Sequence, residues 1–574
     1  MTSREAVRLV ELRVLEGPNL YFTRPAIKLT LHVEGWLEAS QDRVARVARA
    51  IGLPGAARAG GSPGIPGGEH RRRFVIRLAA HVTRRLAGLT GTRMAVRSRP
   101  GHEPEEVVVA FPWRRRDAAE ALGREVAGAL RTLLAGRRSF DDIVRAASRR
   151  LEGIDPGPGP TVPVPQVPVV MVTGTNGKTT TVRLLDHLVH SAGLTVAYTS
   201  TDGVYLNGRQ VEEGDYSGPS GAAMALSQPG VEALVLEVAR GGILLKGIGV
   251  AHNDVAVVTN VSADHLGLHG IRTLDQLAEV KAAITRITRP QGWDVLNADD
   301  PRVLAMRRGA RGRSFLFSLD ADHPAIRQVL TEGGRALAPL DGSLVVMSPG
   351  PMVEDLLPLE EIPATLAGIS SQHIQNVMGA TAAALGIGLS REEVIAGLRT
   401  FVLDPDRNPG RANLFEVDGK VVVIDYAHNE AGMHGLVEIC RGLRKPGANI
   451  WLALGSAGDR TEEIIHGMAY IAARAADHII IVEQLRYLRG RGRQEVIDLL
   501  RAGAVDGGAA DVLDLPEEID GLRWMLRRAR RGDVVAITAL GQRPEIFKYL
   551  KRKGARRIGP GRCRQLVRRA RVKT

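Results

Sequence analysis

The fold class that this sequence predicts is α/β: two successive doubly wound domains behind a small α+β domain. Three observations carry that expectation. Short apolar strands alternate with helical segments over most of the chain after residue 167. A Gly-rich turn, Gly174–Thr179, lies directly between one such strand and a helix. A stiff Pro/Gly stretch at 156–168 (PGPGPTVPVPQVP) separates this alternating part from what precedes it. A chain of 574 residues is too long for one core. The expected domains are 1–158, 159–405 and 406–574.

In the first domain, Val7–Leu15 and Ile27–Val33 have strand patterns, the second alternating Ile27, Leu29, Leu31 and Val33. Val107–Phe111 is another β-prone run. Asp117–Leu134 has helical spacing, with Leu122, Val126, Leu130 and Leu133 near one face. Pro54–Gly68 (PGAARAGGSPGIPGG) is expected to be an inserted loop. After the linker, Val167–Val172, Val231–Val238 and Val255–Val261 read as buried strands, with a helix near Thr179–Ala192. A second alternating set begins near residue 408, with strands at Val421–Asp425, Ile450–Leu454, His478–Val482 and Val534–Thr538. Strand–helix alternation favours doubly wound sheets with parallel strands.

Hydrophobic content of 44% and charged content of 24% are those of a globular protein. No run of about 18 uncharged apolar residues predicts a membrane span. The opening Met1-Thr-Ser-Arg-Glu lacks the apolar core of a signal peptide. Cys440 and Cys563 cannot form a disulfide framework, so a cytoplasmic location is expected. The net charge of +14 comes mainly from arginine, partly in clusters at Arg71–Arg73, Arg114–Arg116 and the Lys551–Lys573 tail. That charge is compatible with a polyanionic partner or with solvated basic faces. Aromatic content of 4% argues against nucleic acid held on stacking platforms.

The motif with most chemistry is VPVVMVTGTNGKTTTVRLL. Its glycines let backbone N–H groups close around phosphate oxygens, and the helix N-terminus adds its dipole. Lys178 is placed to reach β- and γ-phosphates, and the Thr179 hydroxyl to ligate magnesium. The turn is shorter than the usual Walker pattern, whose first glycine would fall at Val172.

The form GTNGKTT after an apolar strand is typical of Mur ligases and folylpolyglutamate synthetases. TSTDGVYLNGRQVEEGDYSGPSG, VLEVARGGIL and TNVSADHLGLHG resemble the Mur-ligase half of the cyanophycin synthetase family. The similarity runs from about residue 165 to about 500, through NPGRANLFEVDGKVVVIDYAHNEAG, GSAGDRTEE and LRYLRGRGRQE. LEGPNLYFTRPAIKLTL resembles the opening of that family. Its members carry an ATP-grasp domain between these regions, and here the 156–168 linker stands in its place. The resemblance therefore implies one type of amide bond rather than two.

It also implies the fold: a P-loop central domain of Mur-ligase type and a Rossmann-like C-terminal domain. For the nucleotide, ATP, it implies the loop Gly174, Thr175, Asn176, Gly177, Lys178, Thr179 and Thr180. Gln375 and Asn376 resemble the base contact, Asp425 the ribose contact with His428 and Asn429 on the same turn, and Arg411 the γ-phosphate contact. Magnesium would lie on Thr179, Glu237 and His265, with Asp264 orienting. Lys281 matches the lysine that many Mur ligases carbamylate. Lys178, His265, Lys281 and Arg411 are the implied catalytic set. Asp215, Ser217, Asp459, Arg460, Arg489 and Arg491 are implied substrate contacts.

The expected activity is ATP-dependent joining of an amino acid to a carboxylate of an acidic peptide-like or poly-amino-acid acceptor. A ligase on polyglutamate or a cell-wall-type peptide is the alternative. A non-catalytic nucleotide- and polymer-binding subunit is the competing class, disfavoured by the intact set Lys178, Thr179, Glu237, His265 and Arg411. A homo-oligomer without membrane or nucleic-acid partners is expected.

Overall fold

In the computed structural model, the described residues are 7–52, 65–89, 93–136, 138–264, 266–350, 352–483 and 487–571. The first domain is a four-stranded antiparallel sheet in the order Arg8–Leu15, Ala26–His32, Glu106–Pro112, Arg97–Pro100. Ile27, Leu29 and Leu31 alternate onto the face covered by the helices Glu69–Leu89, Arg116–Leu134 and Phe140–Leu151, which closes one apolar core. Sequence patterning missed Glu69–Leu89 and Phe140–Leu151, as well as Gln41–Ala50. Two of these starts had a readable signal. Ser40 and Ser139 accept the backbone N–H groups of Arg43 and Asp142, as N-cap residues do. Most of the predicted Pro54–Gly68 loop falls on 53–64, outside the described residues.

The central domain holds an eleven-stranded sheet. Its parallel body runs Arg335–Leu340, Arg313–Phe317, Thr288–Asn297, Asn253–Val258, Val169–Thr173, Ala233–Glu237, Val196–Ser200. Antiparallel strands extend both edges. VVMVT and ALVLE are buried along their whole length. That explains their uninterrupted apolar runs, since a parallel strand is covered on both faces. The third sheet runs Val512–Leu515, His478–Val482, Ile450–Leu454, Val534–Thr538, Lys420–Asp425 in parallel, then Asn413–Val417 and Arg556–Arg557 antiparallel.

Structure alters the reading of the basic clusters. Arg71 is fully buried and donates to the Ala39 carbonyl, and Arg73 pairs with Glu69. Arg116 pairs with Glu16 and Glu120, while Arg114 and Arg115 are exposed. Part of the basic tail is likewise engaged: Arg557 with Asp406, Arg562 with Glu416, Arg568 with Glu360. No helix among the described residues is long and apolar enough to cross a membrane.

The first domain is joined to the central one by backbone as well as side chains. Glu16 N donates to Lys246 O at 2.8 Å, and Ile248 N to Pro18 O at 2.6 Å. Arg286 reaches the Leu20 carbonyl at 3.0 Å, and Arg99 pairs with Glu279 at 3.2 Å. This close approach depends on Gly17, where a Cβ would lie 1.9 Å from Ile248 O. Gly17→Ala should therefore destabilise the chain by about 1–3 kcal/mol, the usual range for forcing atoms into a packed contact. Calorimetry should show a lower Tm, and faster proteolysis in the 156–168 linker should accompany it; an unchanged Tm would show that the junction yields freely.

Candidate active site

The carboxyl ends of Val169–Thr173, Ala233–Glu237 and Asn253–Val258 meet where open α/β sheets bind ligands. From the first, the chain turns at Gly174–Gly177 into the helix Lys178–Ser191, whose N-terminus borders a cavity of about 410 Å³. That size suits a small-molecule site. Gly177 has φ 85°, and a Cβ there would stand 2.1 Å from Asn376 Oδ1. The turn thus needs glycine, and Asn376 supports the loop from behind. Thr175 N donates to Asn260 O and Asn176 N to Asn260 Oδ1. Lys178 Nζ donates to the carbonyls of Gly174 and Thr175 at 3.1 and 2.9 Å.

Thr179 Oγ1 donates to Glu237 Oε2 at 2.9 Å, while Glu237 Oε1 is buried with no hydrogen-bond partner. Burial, only partly offset by Lys178 and Arg411, pushes the Glu237 carboxyl above its ordinary value. A divalent cation fits this pair, because it would compensate a buried carboxylate oxygen and accept a hydroxyl ligand. No cluster of three or more His, Cys, Asp or Glu side chains among the described residues is arranged to hold a metal. His265 itself lies outside the described residues.

The C-terminal domain closes the other wall. Arg411 Nη2 donates to Thr179 Oγ1 at 3.2 Å and stacks over Tyr426. Asn176 and Asn429 exchange side-chain amide bonds at 3.1 and 3.0 Å. Asp264 faces Arg460 at 3.1 Å and His428 at 3.6 Å. Asp425 borders the cavity and accepts Ala412 N at 2.8 Å; burial raises its carboxyl. Lys281, 3% exposed, donates to Gly174 O at 2.6 Å.

Two models of one family match the chain: Mur ligase middle domain over residues 172–384, and Mur ligase, glutamate ligase domain over 410–541. The chain belongs to the Mur ligase family. Cyanophycin synthetase of Geminocystis herdmanii is 39% identical over 388 residues, covering 67% of this chain and 44% of that protein. The chain thus spans less than half the length of that relative. UDP-N-acetylmuramyl-tripeptide synthetase of Deinococcus radiodurans is 28% identical over 391 residues, covering 66% of this chain and 74% of that one. A crystal structure of a bifunctional folylpolyglutamate synthase/dihydrofolate synthase, with Mn, AMPPNP and L-glutamate bound, shares the fold. It has 18% identity and a TM-score of 0.51, with 67% of this chain and 89% of that one covered.

Within this Mur ligase site, the cavity wall collects most of the residues singled out by sequence. They include the whole loop from Gly174 to Thr180, Asp215, Ser217, Glu237, Lys281, Asn376, Arg411, Asp425, His428, Arg460 and Arg489. Among the described residues, Gln375, Asn429, Asp459 and Arg491 do not border it. Gln375 turns to Asp299 at 2.9 Å, since the helix Ser371–Gly386 presents Gln372, His373 and Asn376 to the cavity instead. Arg491 donates to Gly458 O and pairs with Glu495. Asp459 stands behind the wall and pairs with Arg460 and Arg489. Sequence reading missed Gln372, His373, Arg240 and Tyr426; helical phase from Asn376 would have found the first two, at i−4 and i−3.

Burial, then the Lys178 charge, holds the Lys281 amine well below its ordinary value. Below the unfolded value the unfolded chain therefore holds this proton more readily than the folded chain does, so the lysine lowers stability there. That cost fades as pH rises toward the unfolded lysine value of about 10.4. Lys281→Met should accordingly gain in Tm relative to the native chain at neutral pH, and the gain should shrink steadily as the medium becomes alkaline. Calorimetry across pH checks it; a gain that grows with pH would reverse the assignment.

Proposed function

We propose that this chain is an ATP-dependent ligase joining an amino acid, through its amine, to a carboxylate of an acidic peptide-like or poly-amino-acid acceptor. The observation that carries this reading is Arg411 of the C-terminal domain donating to Thr179 at the phosphate loop of the central domain. A cation delivered from a second domain to the end of a phosphate loop suits phosphoryl transfer, where catalysis rests on positioning and charge.

The chemistry runs in two steps. An oxygen of the acceptor carboxylate attacks the γ-phosphorus, the bond to the β,γ-bridging oxygen breaks, and ADP leaves with the electron pair. The amino acid's free amine then attacks the acyl carbon. The carbon–oxygen bond to phosphate breaks, and phosphate leaves with the surplus amine proton. Lys178 and Arg411 would bind the phosphoryl oxygens and neutralise charge as it develops. Magnesium, held by Thr179 and Glu237 with His265 as a further ligand, would supply added charge neutralisation on the same oxygens. Carbamylation of Lys281 is part of the proposal: its depressed amine basicity favours the neutral form that reacts with carbon dioxide. The carbamate would carry the negative charge toward the metal side of the loop.

Asn376 at the base side, and Asp425 with His428 near the ribose, complete the assigned nucleotide contacts. Asp215, Ser217, Arg460 and Arg489 are assigned to the amino acid and acceptor, with Asp459 orienting the two arginines. The 39% identity to a cyanophycin synthetase supports an acceptor of poly-amino-acid type. The single phosphate loop at Gly174–Thr179 supports one type of amide bond.

Incubation with ATP, a panel of amino acids and acidic peptides should give phosphate release and a product heavier by one amino-acid residue. Lys178→Ala should lower turnover by about 10²–10³-fold or more with the fold intact, as for loss of a donor to developing charge. Near-native ligation by a folded Lys178→Ala chain would sink the site assignment.

A further inference from the structure

The Arg411 turn is held by a side chain outside the residues so far assigned. Gly410 has φ 72° and Ala412 φ 53°, so Arg411 projects from a sharp turn. Gly410 N donates to Asn413 Oδ1 at 2.7 Å, and Ala412 N to Asp425. Arg543, the first residue of the helix Arg543–Arg552, lies along the outside of that turn. A Cβ on Gly410 would come within 2.5 Å of Arg543 Cδ. Arg543 Nη1 donates to Pro409 O at 3.3 Å, and its guanidinium stacks over Tyr426, the ring that Arg411 also stacks on.

The far end of Arg543 crosses the domain boundary. Arg543 Nη2 meets Asp202 Oδ1 at 3.4 Å, and Asp202 Oδ2 accepts from Arg183 Nη2 at 2.7 Å. Arg183 is 4% exposed, sits on the phosphate-loop helix, and also donates to Asn408 Oδ1 at 3.3 Å. One carboxylate of the central domain therefore joins the phosphate-loop helix to the turn that bears Arg411. The neighbouring Arg183, Arg411 and Arg543 charges favour its ionised form. From these contacts the geometry points to Arg543 and Asp202 as positioning residues, an interdomain clasp that sets Arg411 on the phosphate loop.

The kinetic consequence rests on the ligase reading above; the structural one does not. Without the clasp, Arg411 keeps its charge but loses its registration, so the chemical step suffers more than nucleotide binding. Arg543→Ala should lower kcat by roughly tenfold or more while changing KM for ATP by less than about threefold. Arg543→Lys, which keeps the charge but not the fork, should restore only part of that loss. In an Arg411→Ala background, Arg543→Ala should cost little more, because a residue acting through Arg411 has nothing left to position. Full additivity, or unchanged kcat in Arg543→Ala, would overturn the clasp.

A second readout needs no catalysis. Cys440 and Cys563 are buried, so spin labels can be placed on the exposed sites Glu212→Cys and Asp498→Cys. The label-to-label distance distribution should be narrow in the otherwise native chain and broader with Arg543→Ala. Equal widths would overturn the clasp even in a chain that forms no ADP; absent ADP formation with a width difference would overturn the ligase reading instead.

Discussion

Everything at the candidate site depends on bringing a guanidinium from the C-terminal domain against the first turn of the phosphate-loop helix. A helix N-terminus carries partial positive charge, and Lys178 adds a full one, so a third cation there is costly unless anions surround it. The structure supplies two carboxylates nearby. Glu237 accepts from the same Thr179 hydroxyl that Arg411 donates to, and Asp202 lies among Arg183, Arg411 and Arg543. Burial weakens the basicity of Arg411 and raises the Glu237 carboxyl, the mark of charges kept in place against their desolvation cost. A triphosphate with its cation answers both imbalances together. Nucleotide binding would then strengthen a domain apposition that Arg411 and Thr179 already make, in one electrostatic event.

The loop is prepared for that event by uncharged contacts. Asn260, Asn376 and Asn429 surround Asn176 and Gly177 with amide groups that cannot titrate. Thr259 Oγ1 donates to Asn176 O at 2.6 Å, and Ser262 N to Thr175 Oγ1 at 3.0 Å. Shape is thus set by neutral hydrogen bonds, while charge is left to the few groups that face the phosphates. Such separation keeps donors fixed at the moment charge develops, the condition under which they stabilise it most.

How much of this could be read from residues follows from the range of each interaction. The strands Val169–Thr173 and Val534–Thr538 were legible because burial on both faces leaves an apolar run in the sequence. The loop Gly174–Thr179 was legible because its pattern is local: glycines, lysine and threonine fall together on one turn between a strand and a helix. The helices Glu69–Leu89 and Gln41–Ala50 were not, since arginine-rich stretches hide their apolar stripe; Arg71 is buried there through a backbone carbonyl partner that no spacing announces. Gln375 and Arg491 came from motif position, which fixes neighbourhood but not direction. Helical phase decides between Gln375 and Gln372, and the Gly458 turn claims Arg491. Arg543 and Asp202, 341 positions apart, are joined only by the fold.

The first domain is attached through its backbone as well as its side chains. Its backbone bonds at Glu16 and Pro18 end on residues 246–248, just past the short helix Arg240–Leu245 that begins at the cavity wall. Arg13 reaches the Leu245 carbonyl from the neighbouring strand. The first domain is therefore bound to the central domain beside Arg240, on the side where Ser217 and Asp215 stand. The C-terminal domain meets the central one through the Asn176–Asn429 amides, Asp264 with Arg460, Asp202 with Arg543, and an apolar core in which Leu366 and Ile374 cluster with Leu436 and Ile439. Close glycine packing recurs at this second junction, where a Cβ on Gly442 would stand 2.8 Å from Ile369 Cδ1.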